Sequence, residues 1–151
     1  MEYDKDLRSI QEARDLIKNA KVAQKQLANW SQAEIDKLTK HICESCVRNA
    51  EPLAKLAQEE TGFGKWEDKI LKNLLGSKMT YEAMENLKTV GIIREDRAGR
   101  FFEVAVPVGV VVALIPSTNP TSTVMYKSLI SLKAGNAIII SPHPSAKNCI
   151  F

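Results

Sequence analysis

The chain has 151 residues, of which 44% are hydrophobic and 26% are charged, and its formal net charge is +3. These values are typical of one globular domain and exclude a mostly disordered, collagen-like or disulfide-stabilised chain. The charge is too small to indicate nucleic acid as a partner. The longest apolar run, 104–115, is too short and too interrupted to cross a membrane. Three cysteines and a charged N-terminus without a secretory signal predict a cytoplasmic protein with free thiols.

Charged residues are distributed unevenly along the chain. Only four follow Arg100, and these are Glu103, Lys127, Lys133 and Lys147. Charged segments with apolar residues at helical spacing form amphipathic surface helices, whereas uncharged segments rich in Val and Ile form strands that are buried on both faces. The sequence therefore predicts a helical segment over 1–89, a β-hairpin over 90–107 and the start of a parallel sheet over 108–151.

Apolar spacing and cap residues predict four helices in the first segment. The first lies near 4–29, and the second begins at a Ser31–Glu34 capping box. The third has Pro52 in its first turn and Gly62 at its end, and the fourth spans 66–87. The apolar residues that define their inward faces are Leu7, Ile10, Leu16, Ile17, Leu27, Ile35, Leu38, Ile42, Val47, Leu53, Leu56, Trp66, Ile70, Leu74, Leu75, Met79 and Met84. Gly76 is expected to be tolerated inside the fourth helix at a cost of about 1 kcal/mol.

After residue 90 the pattern changes to short apolar runs. The expected elements are two hairpin strands over 90–94 and 100–106, a buried strand over 108–115, a helix over 121–133, a second buried strand over 137–140 and a helix that starts at 145. Strand, helix and strand in this order form a βαβ unit. The predicted fold class is α/β, in which N-terminal helices and a hairpin lead into the first βαβ unit of an incomplete Rossmann-like parallel sheet.

Two segments follow the predicted parallel strands, Pro116–Thr121 and Ser141–Pro144. In an open parallel sheet, ligands bind beyond the carboxyl ends of the strands, so these segments are the candidate ligand site. Neither G-x-G-x-x-G nor G-x-x-x-x-G-K-[ST] occurs in the sequence. A nucleotide site at this position would therefore be of an unusual kind.

Several polar residues of these segments have two interpretations. Ser117 and Thr118 could bind a cofactor phosphate or cap the following helix. His143, between two prolines, could contact a cofactor or belong to a rigid turn that faces solvent. For Lys127 and Lys133 a solvated or snorkelling side chain is favoured over a ligand contact.

The cysteines also have a chemical and a structural interpretation. Cys43 and Cys46 lie three residues apart near His41, but two thiols and one imidazole make a poor zinc site, so no metal is expected. Cys149 opens a predicted helix, where the pKa of a thiol can be lowered. A packing role is favoured for Cys149 as well.

Two blocks in the last third of the sequence are distinctive, T-N-P-T-S-T at 118–123 and S-P-H-P-x-A-K at 141–147. With K-S-L-I-S-L-K at 127–133 and N-A-I-I at 136–139, they resemble the CoA-acylating branch of the aldehyde dehydrogenase superfamily. That branch includes acetaldehyde dehydrogenase (acetylating) and the aldehyde half of bifunctional aldehyde–alcohol dehydrogenases. The N-terminal part agrees at 21–24, 59–62, 67–69 and 88–91, so the resemblance covers the whole chain.

The resemblance implies an oxidoreductase with a two-stage reaction. A cysteine thiolate attacks a small aldehyde, hydride passes to NAD, and coenzyme A takes the acyl group. The family's nucleophilic cysteine lies beyond Phe151, and no cysteine of this chain matches it. In the wider superfamily an Asn in the loop after the first parallel strand stabilises the oxyanion. Asn119 is the only amide in that loop, whereas counting back from Lys127 without a gap places Thr118 at the family's position.

The cofactor-binding positions that the resemblance implies are Ile115, Pro116, Ser117, Thr118, Ser141, His143 and Pro144. Many non-acylating relatives hold the adenosine ribose with a Lys after the second strand and a Glu three residues later. Ser141 and Pro144 stand there instead, and a Ser hydroxyl can bind a ribose hydroxyl without supplying charge. The missing Glu also removes repulsion against a 2′-phosphate, so NAD is favoured and NADP stays open.

Two functional hypotheses follow. In the first, the chain is the N-terminal part of a CoA-acylating aldehyde dehydrogenase that is a homo-oligomer when full length, and the 151-residue chain alone is inactive. In the second, it is a non-catalytic truncated paralogue that binds full-length subunits and modulates their assembly. An independent nucleotide-binding module is least favoured, because a sheet of two central strands leaves both edges and much apolar surface exposed. The isolated chain is expected to aggregate through Val110, Val112, Ile138 and Ile140.

Overall fold

A computed structural model of the chain describes residues 4–151 as helices packed beside a small parallel sheet, with a separate antiparallel hairpin. The elements are α1 (Lys5–Leu27), α2 (Gln32–Arg48), α3 (Ala50–Thr61), α4 (Trp66–Leu74), α5 (Thr80–Met84), β1 (Gly91–Asp96), β2 (Phe101–Ala105), β3 (Val110–Ile115), α6 (Pro120–Lys133), β4 (Ala137–Pro142) and α7 (Lys147–Ile150). A π-helical turn, Leu75–Met79, joins α4 to α5, and a 3-10 turn, Pro144–Ala146, precedes α7. The α/β fold class predicted from the sequence is confirmed.

Helix ends lie where local sequence signals place them. At the start of α2, the Glu34 N–H donates to Ser31 Oγ at 3.3 Å and the Ser31 N–H donates to Glu34 Oε2 at 2.7 Å, which forms the predicted capping box. At the end of α3, Gly62 adopts a φ of 70°, a left-handed conformation that glycine enters without steric cost.

The apolar stripe of α1 is largely exposed, contrary to the expectation that it faces a core. Its buried residues are Ala20 and Leu27, whereas Leu7, Ile10 and Leu16 are between 45% and 52% exposed. The helix packs against β4 and β3. The periodicity therefore predicts the helix correctly but not its partner. None of the helices within 4–151 combines the length and apolar character that a membrane span requires.

The fourth predicted helix is interrupted by the π-helical turn at Gly76. A Cβ atom on Gly76 would lie 2.5 Å from the carbonyl oxygen of Ser122 in α6, so the glycine is required by the close approach of two backbones. The face that α4 and the turn bury is polar and contains Lys69, Asn73 and Ser77.

Leu75 and Met79, expected to face inward, are instead 58% and 56% exposed. Met84 is buried as expected, and Trp66 is half-buried. The error arises because apolar spacing identifies a helix face only when the partner surface is also apolar.

The two sheets form as the strand patterns predict. Strands β1 and β2 pair antiparallel, and β3 pairs parallel with β4 from Val110 opposite Ala137 to Ile115 opposite Pro142. Helix α6 connects β3 to β4 and packs on both. Burial alternates along β3, however, since Ala113 and Ile115 are buried while Val112 and Leu114 are 56% and 71% exposed. The described residues therefore leave one face of β3 exposed, whereas burial of both faces was expected.

An ion pair between Lys133 and Asp36 joins α2 to the end of α6. The Lys133 ammonium is buried and donates to Asp36 Oδ1 at 2.6 Å and to the Glu85 carbonyl at 3.0 Å. The expectation that Lys133 is solvated is therefore wrong. Lys127 is partly covered, and its ammonium donates to the carbonyl oxygen of Leu114 at 2.8 Å.

The exposed face of β3 gives a prediction for the isolated 151-residue chain. Of the four residues expected to cause aggregation, Val112 is exposed, whereas Val110, Ile138 and Ile140 are partly buried; Leu114 is the larger contributor. We expect Val112→Thr with Leu114→Thr to raise the monomer fraction in size-exclusion chromatography, because the change shrinks an exposed apolar patch. Val108→Thr, at an exposed position outside the strands, is the matched control and should change little. A sharp, reversible melt of the unmodified chain as a monomer would contradict the prediction.

The sign of the stability change in Gly76→Ala shows whether this glycine is merely tolerated in the helix or is required by the contact with Ser122. If Gly76 were only tolerated in a helix, Gly76→Ala would stabilise the protein by about 1 kcal/mol. Because the Cβ would collide with the Ser122 carbonyl, we expect a loss of roughly 1–3 kcal/mol and a lower midpoint in thermal unfolding. Lys78→Ala, an exposed change in the same turn, should leave the midpoint nearly unchanged.

Candidate functional site

The two segments singled out from the sequence lie side by side at one edge of the parallel sheet. Ser141 is opposite Leu114, and the His143 N–H donates to the carbonyl oxygen of Ile115 at 3.1 Å. The parallel register thus brings Ile115, Ser141, His143 and Pro144 together, since the carboxyl ends of parallel strands share an edge.

The loop after β3 runs from Pro116 to Asn119. Ile115 before it is buried, Ser117 and Asn119 are half-buried, and Pro116 and Thr118 are exposed. Asn119 is the N-cap residue of α6, and no side chain caps this helix. The alternative that Ser117 or Thr118 caps the helix is therefore not observed. Pro120 has no N–H and the Thr123 N–H donates to the Asn119 carbonyl, so the Thr121 and Ser122 N–H groups are the ones without a side-chain acceptor within residues 4–151.

Two lysines of α4 hold this loop from the helical side. The Lys69 ammonium donates to the carbonyl oxygen of Thr118 at 2.8 Å, and the Lys72 ammonium donates to Asn119 Oδ1 at 3.0 Å. Within residues 4–151 neither lysine forms an ion pair. Lys69 is 4% exposed, and this burial lowers the pKa of its ammonium, with a further lowering by the charge of Lys72.

A buried amide ties the same region together. Asn73 Nδ2 donates to the carbonyl oxygen of Ala50 at 2.8 Å, and Asn73 Oδ1 accepts from the Thr121 hydroxyl at 2.8 Å. Both ends of the amide are satisfied, so its burial carries little penalty. The first turn of α6 is thereby fixed directly beside the loop.

His143 adopts one hydrogen-bonding arrangement at the other segment. Its Nδ1 accepts from the Ser145 N–H at 3.2 Å and lies 2.8 Å from the Ser145 hydroxyl. An acceptor at Nδ1 places the proton of the neutral ring on Nε2. His143 and Pro144 are exposed, so Nε2–H is a donor available at the edge of the sheet.

None of the three thiols is activated. Burial, followed by the nearby Glu60 carboxylate, raises the pKa of the Cys149 thiol to about 12, and its Sγ bonds the carbonyl oxygen of Ala146 at 3.4 Å. Burial also raises the pKa values of Cys43 and Cys46. Cys149 packs in the interior, as favoured from the sequence. Across residues 4–151, no group of three or more His, Cys, Asp or Glu side chains is placed to hold a metal ion.

Sequence reasoning missed Lys69, Lys72 and Asn73 as contributors to this site. The available signal was a polar stripe at positions 69, 73 and 77, which share one helix face. A polar stripe normally indicates a solvated face, so its partner could be recognised only in the folded chain.

Comparison with known proteins assigns the fold to a family. The model described as "Aldehyde dehydrogenase family" matches residues 7–150. The chain belongs to the aldehyde dehydrogenase family. The resemblance inferred from its TNPTST and SPHP blocks is therefore confirmed.

Similar proteins include acetylating enzymes. A probable aldehyde dehydrogenase from Listeria monocytogenes EGD-e is 56% identical with a TM-score of 0.95, over 98% of this chain and 33% of its own. An acetylating aldehyde dehydrogenase from Geobacillus thermoglucosidasius is 52% identical with a TM-score of 0.94, over 99% of this chain and 33% of its own. The bifunctional aldehyde-alcohol dehydrogenase AdhE of Escherichia coli K12 is 41% identical over 93% of this chain and 16% of its own length. The chain thus spans a third or less of each of these relatives.

Two more distant structures carry ligands. A Rhodopseudomonas palustris propionaldehyde dehydrogenase with bound propionyl-CoA and an engineered glycolyl-CoA reductase with bound NADP+ are each 29% identical over 91% of this chain, with TM-scores of 0.77 and 0.76. This chain covers 30% of the propionaldehyde dehydrogenase and 31% of the glycolyl-CoA reductase.

The raised thiol pKa values predict slow chemistry at every cysteine. We expect iodoacetamide at neutral pH to alkylate Cys149 at least about 100-fold more slowly in the native chain than in denaturant, because the raised pKa makes the reactive thiolate fraction much smaller than in the unfolded chain. Peptide mass spectrometry resolves the three sites, and Cys46, which is less buried, provides the internal comparison. Native labelling of Cys149 as fast as in denaturant would contradict the inert assignment.

Proposed function

We propose that these residues are the N-terminal part of an NAD-dependent CoA-acylating aldehyde dehydrogenase, which converts an aldehyde, CoA and NAD+ to acyl-CoA, NADH and a proton. The observation that carries the proposal is the meeting of the TNPTST loop and the SPHP segment at one sheet edge. The similarity to acetylating relatives supports the acylating branch, and the aldehyde is a small one.

The residues at the sheet edge fit a nicotinamide cofactor. In the first turn of α6 the Thr121 and Ser122 N–H groups have no side-chain acceptor within residues 4–151, and such groups favour phosphate. Ser141 and the Nε2–H of His143 are suited to bind hydroxyl groups of a ribose. When bound, the cofactor supplies the hydride acceptor, while Ile115, Pro116, Ser117, Thr118 and Pro144 shape the surface against it.

The cofactor preference follows from charge. The segments 116–121 and 141–144 contain no Asp or Glu, so nothing in them repels a 2′-phosphate. NAD is our assignment on family resemblance, and binding of NADP is compatible with these residues. Coenzyme A is the co-substrate.

Asn119 is the proposed oxyanion donor of this segment. The amide Nδ2–H2 group has no acceptor within residues 4–151, whereas Oδ1 is occupied by Lys72. An N–H group oriented in advance stabilises negative charge as it develops on the aldehyde oxygen. On the family resemblance we assign the nucleophilic thiolate to a cysteine outside these residues, and the burial that raises the pKa values of the three thiols here agrees with this assignment.

The assembly proposal rests on the hairpin. Both strands expose large apolar side chains, among them Ile92, Phe101 and Phe102. We assign this surface to contacts between subunits of a cytoplasmic homo-oligomer. The second candidate function, a non-catalytic chain that binds full-length subunits, is favoured by the same exposed hairpin together with the absence of an activated thiol in residues 4–151.

The test uses the protein that the native cell makes from this gene, at its native length. Intact mass is measured first, and NADH formation is followed with acetaldehyde in the presence and absence of CoA. We expect a mass well above 16.8 kDa and CoA-dependent NADH formation with matching acyl-CoA by mass spectrometry. The 151-residue chain should form no NADH. Oxidation to the free acid without CoA would contradict the acylating assignment, and an inactive native product near 16.8 kDa would favour the assembly role.

A further inference from the structure

Asn119 is bonded by a side chain that lies 47 positions away in the sequence. The Lys72 ammonium donates to Asn119 Oδ1 at 3.0 Å. An ammonium group can only donate hydrogen bonds, so it selects the oxygen side of the amide. The Nδ2–H2 group must therefore face away from α4.

The backbone on both sides of this amide is fixed independently. The carbonyl oxygen of Asn119 accepts from the Thr123 N–H at 3.2 Å and from the Thr123 hydroxyl at 2.6 Å. The preceding carbonyl, that of Thr118, accepts from the buried Lys69 ammonium. With the main chain held at these points, the remaining freedom is rotation of the Asn119 side chain, which Lys72 restricts.

We propose that Lys72 is a positioning residue that orients the Asn119 amide so that its N–H group, and not its oxygen, faces the developing oxyanion. This inference rests on the proposed function, in which Asn119 is the oxyanion donor. A rotated amide would present Oδ1 to a negatively charged oxygen and oppose the reaction. Donors that are oriented before the reaction stabilise the transition state without reorganisation at the moment of charge development.

The experiment is a double-mutant cycle in the native-length enzyme, with Lys72→Met, Asn119→Ala and both together. Lys72→Met keeps the aliphatic stem and removes the donor. We expect it to lower kcat roughly tenfold with little change in the KM for aldehyde, and Asn119→Ala to lower kcat by about 10²–10³-fold. The double variant should match Asn119→Ala alone, because Lys72 acts through Asn119.

Two further variants separate positioning from a structural role. Lys72→Arg retains a donor and should restore kcat to within about threefold of the wild type. Lys78→Met removes an exposed lysine from the adjoining turn and should leave both constants unchanged. Equal losses from Lys72→Met with and without Asn119 would overturn the proposal, as would wild-type kcat in Asn119→Ala or a change confined to KM.

A neutron crystal structure of the Lys72→Met variant, in which the amide nitrogen and oxygen are distinguishable, tests the orientation itself, whether or not the protein oxidises aldehydes. We expect the Asn119 amide to rotate or to occupy two orientations. An amide that keeps its single wild-type orientation would overturn the positioning role. Absence of CoA-dependent activity in the wild type would instead refute the proposed function, so the two failures are distinguishable.

Discussion

The two hydrogen bonds of the buried Asn73 side-chain amide are the interactions on which the candidate site depends most. The amide donates to Ala50 at the start of α3 and accepts from Thr121 in the first turn of α6, and so connects three helices at one point. A buried amide is stable only when its polar atoms are hydrogen-bonded. Here one partner is a carbonyl group of α3 and the other is a hydroxyl group of α6. This pairing links the first turn of α6 to α4 and to the start of α3.

The interface between α4 and α6 is polar, and side chains of α4 hydrogen-bond to the loop that precedes α6 and to its first turn. Gly76 permits close approach to Ser122, and Lys69 reaches the Thr118 carbonyl from a position that is almost fully buried. An ammonium in such a place is costly unless it is hydrogen-bonded, so its position is well defined. The loop before α6 is thus hydrogen-bonded to α4 through Lys69 and Lys72, while Pro116 and Thr118 are exposed.

In the proposed function, the described residues contribute orientation and binding rather than a nucleophile. Burial raises the pKa values of all three thiols, and Cys149 lies in the interior beside Glu60. The N–H groups of α6, the Nε2–H of His143 and the amide of Asn119 are all donors, in keeping with ligands that carry phosphate and with a developing oxyanion. The exposed faces of β3 and of the hairpin are surfaces suited to further protein contacts.

The sequence by itself determined most of the elements, although not the π-helical turn at Gly76. Caps, breakers and periodicity act over a few residues, and the Ser31–Glu34 box, the stop at Gly62 and the alternation of strands with α6 are all local signals. It also indicated that the segments after β3 and β4 share an edge, since parallel pairing requires this. Only the tertiary structure decided which faces are buried. Lys69 and Asn73 are buried because the surface that faces them is the polar start of α6, and this leaves Leu75 and Met79 exposed. The pattern of a helix does not specify the chemistry of the surface against which it packs.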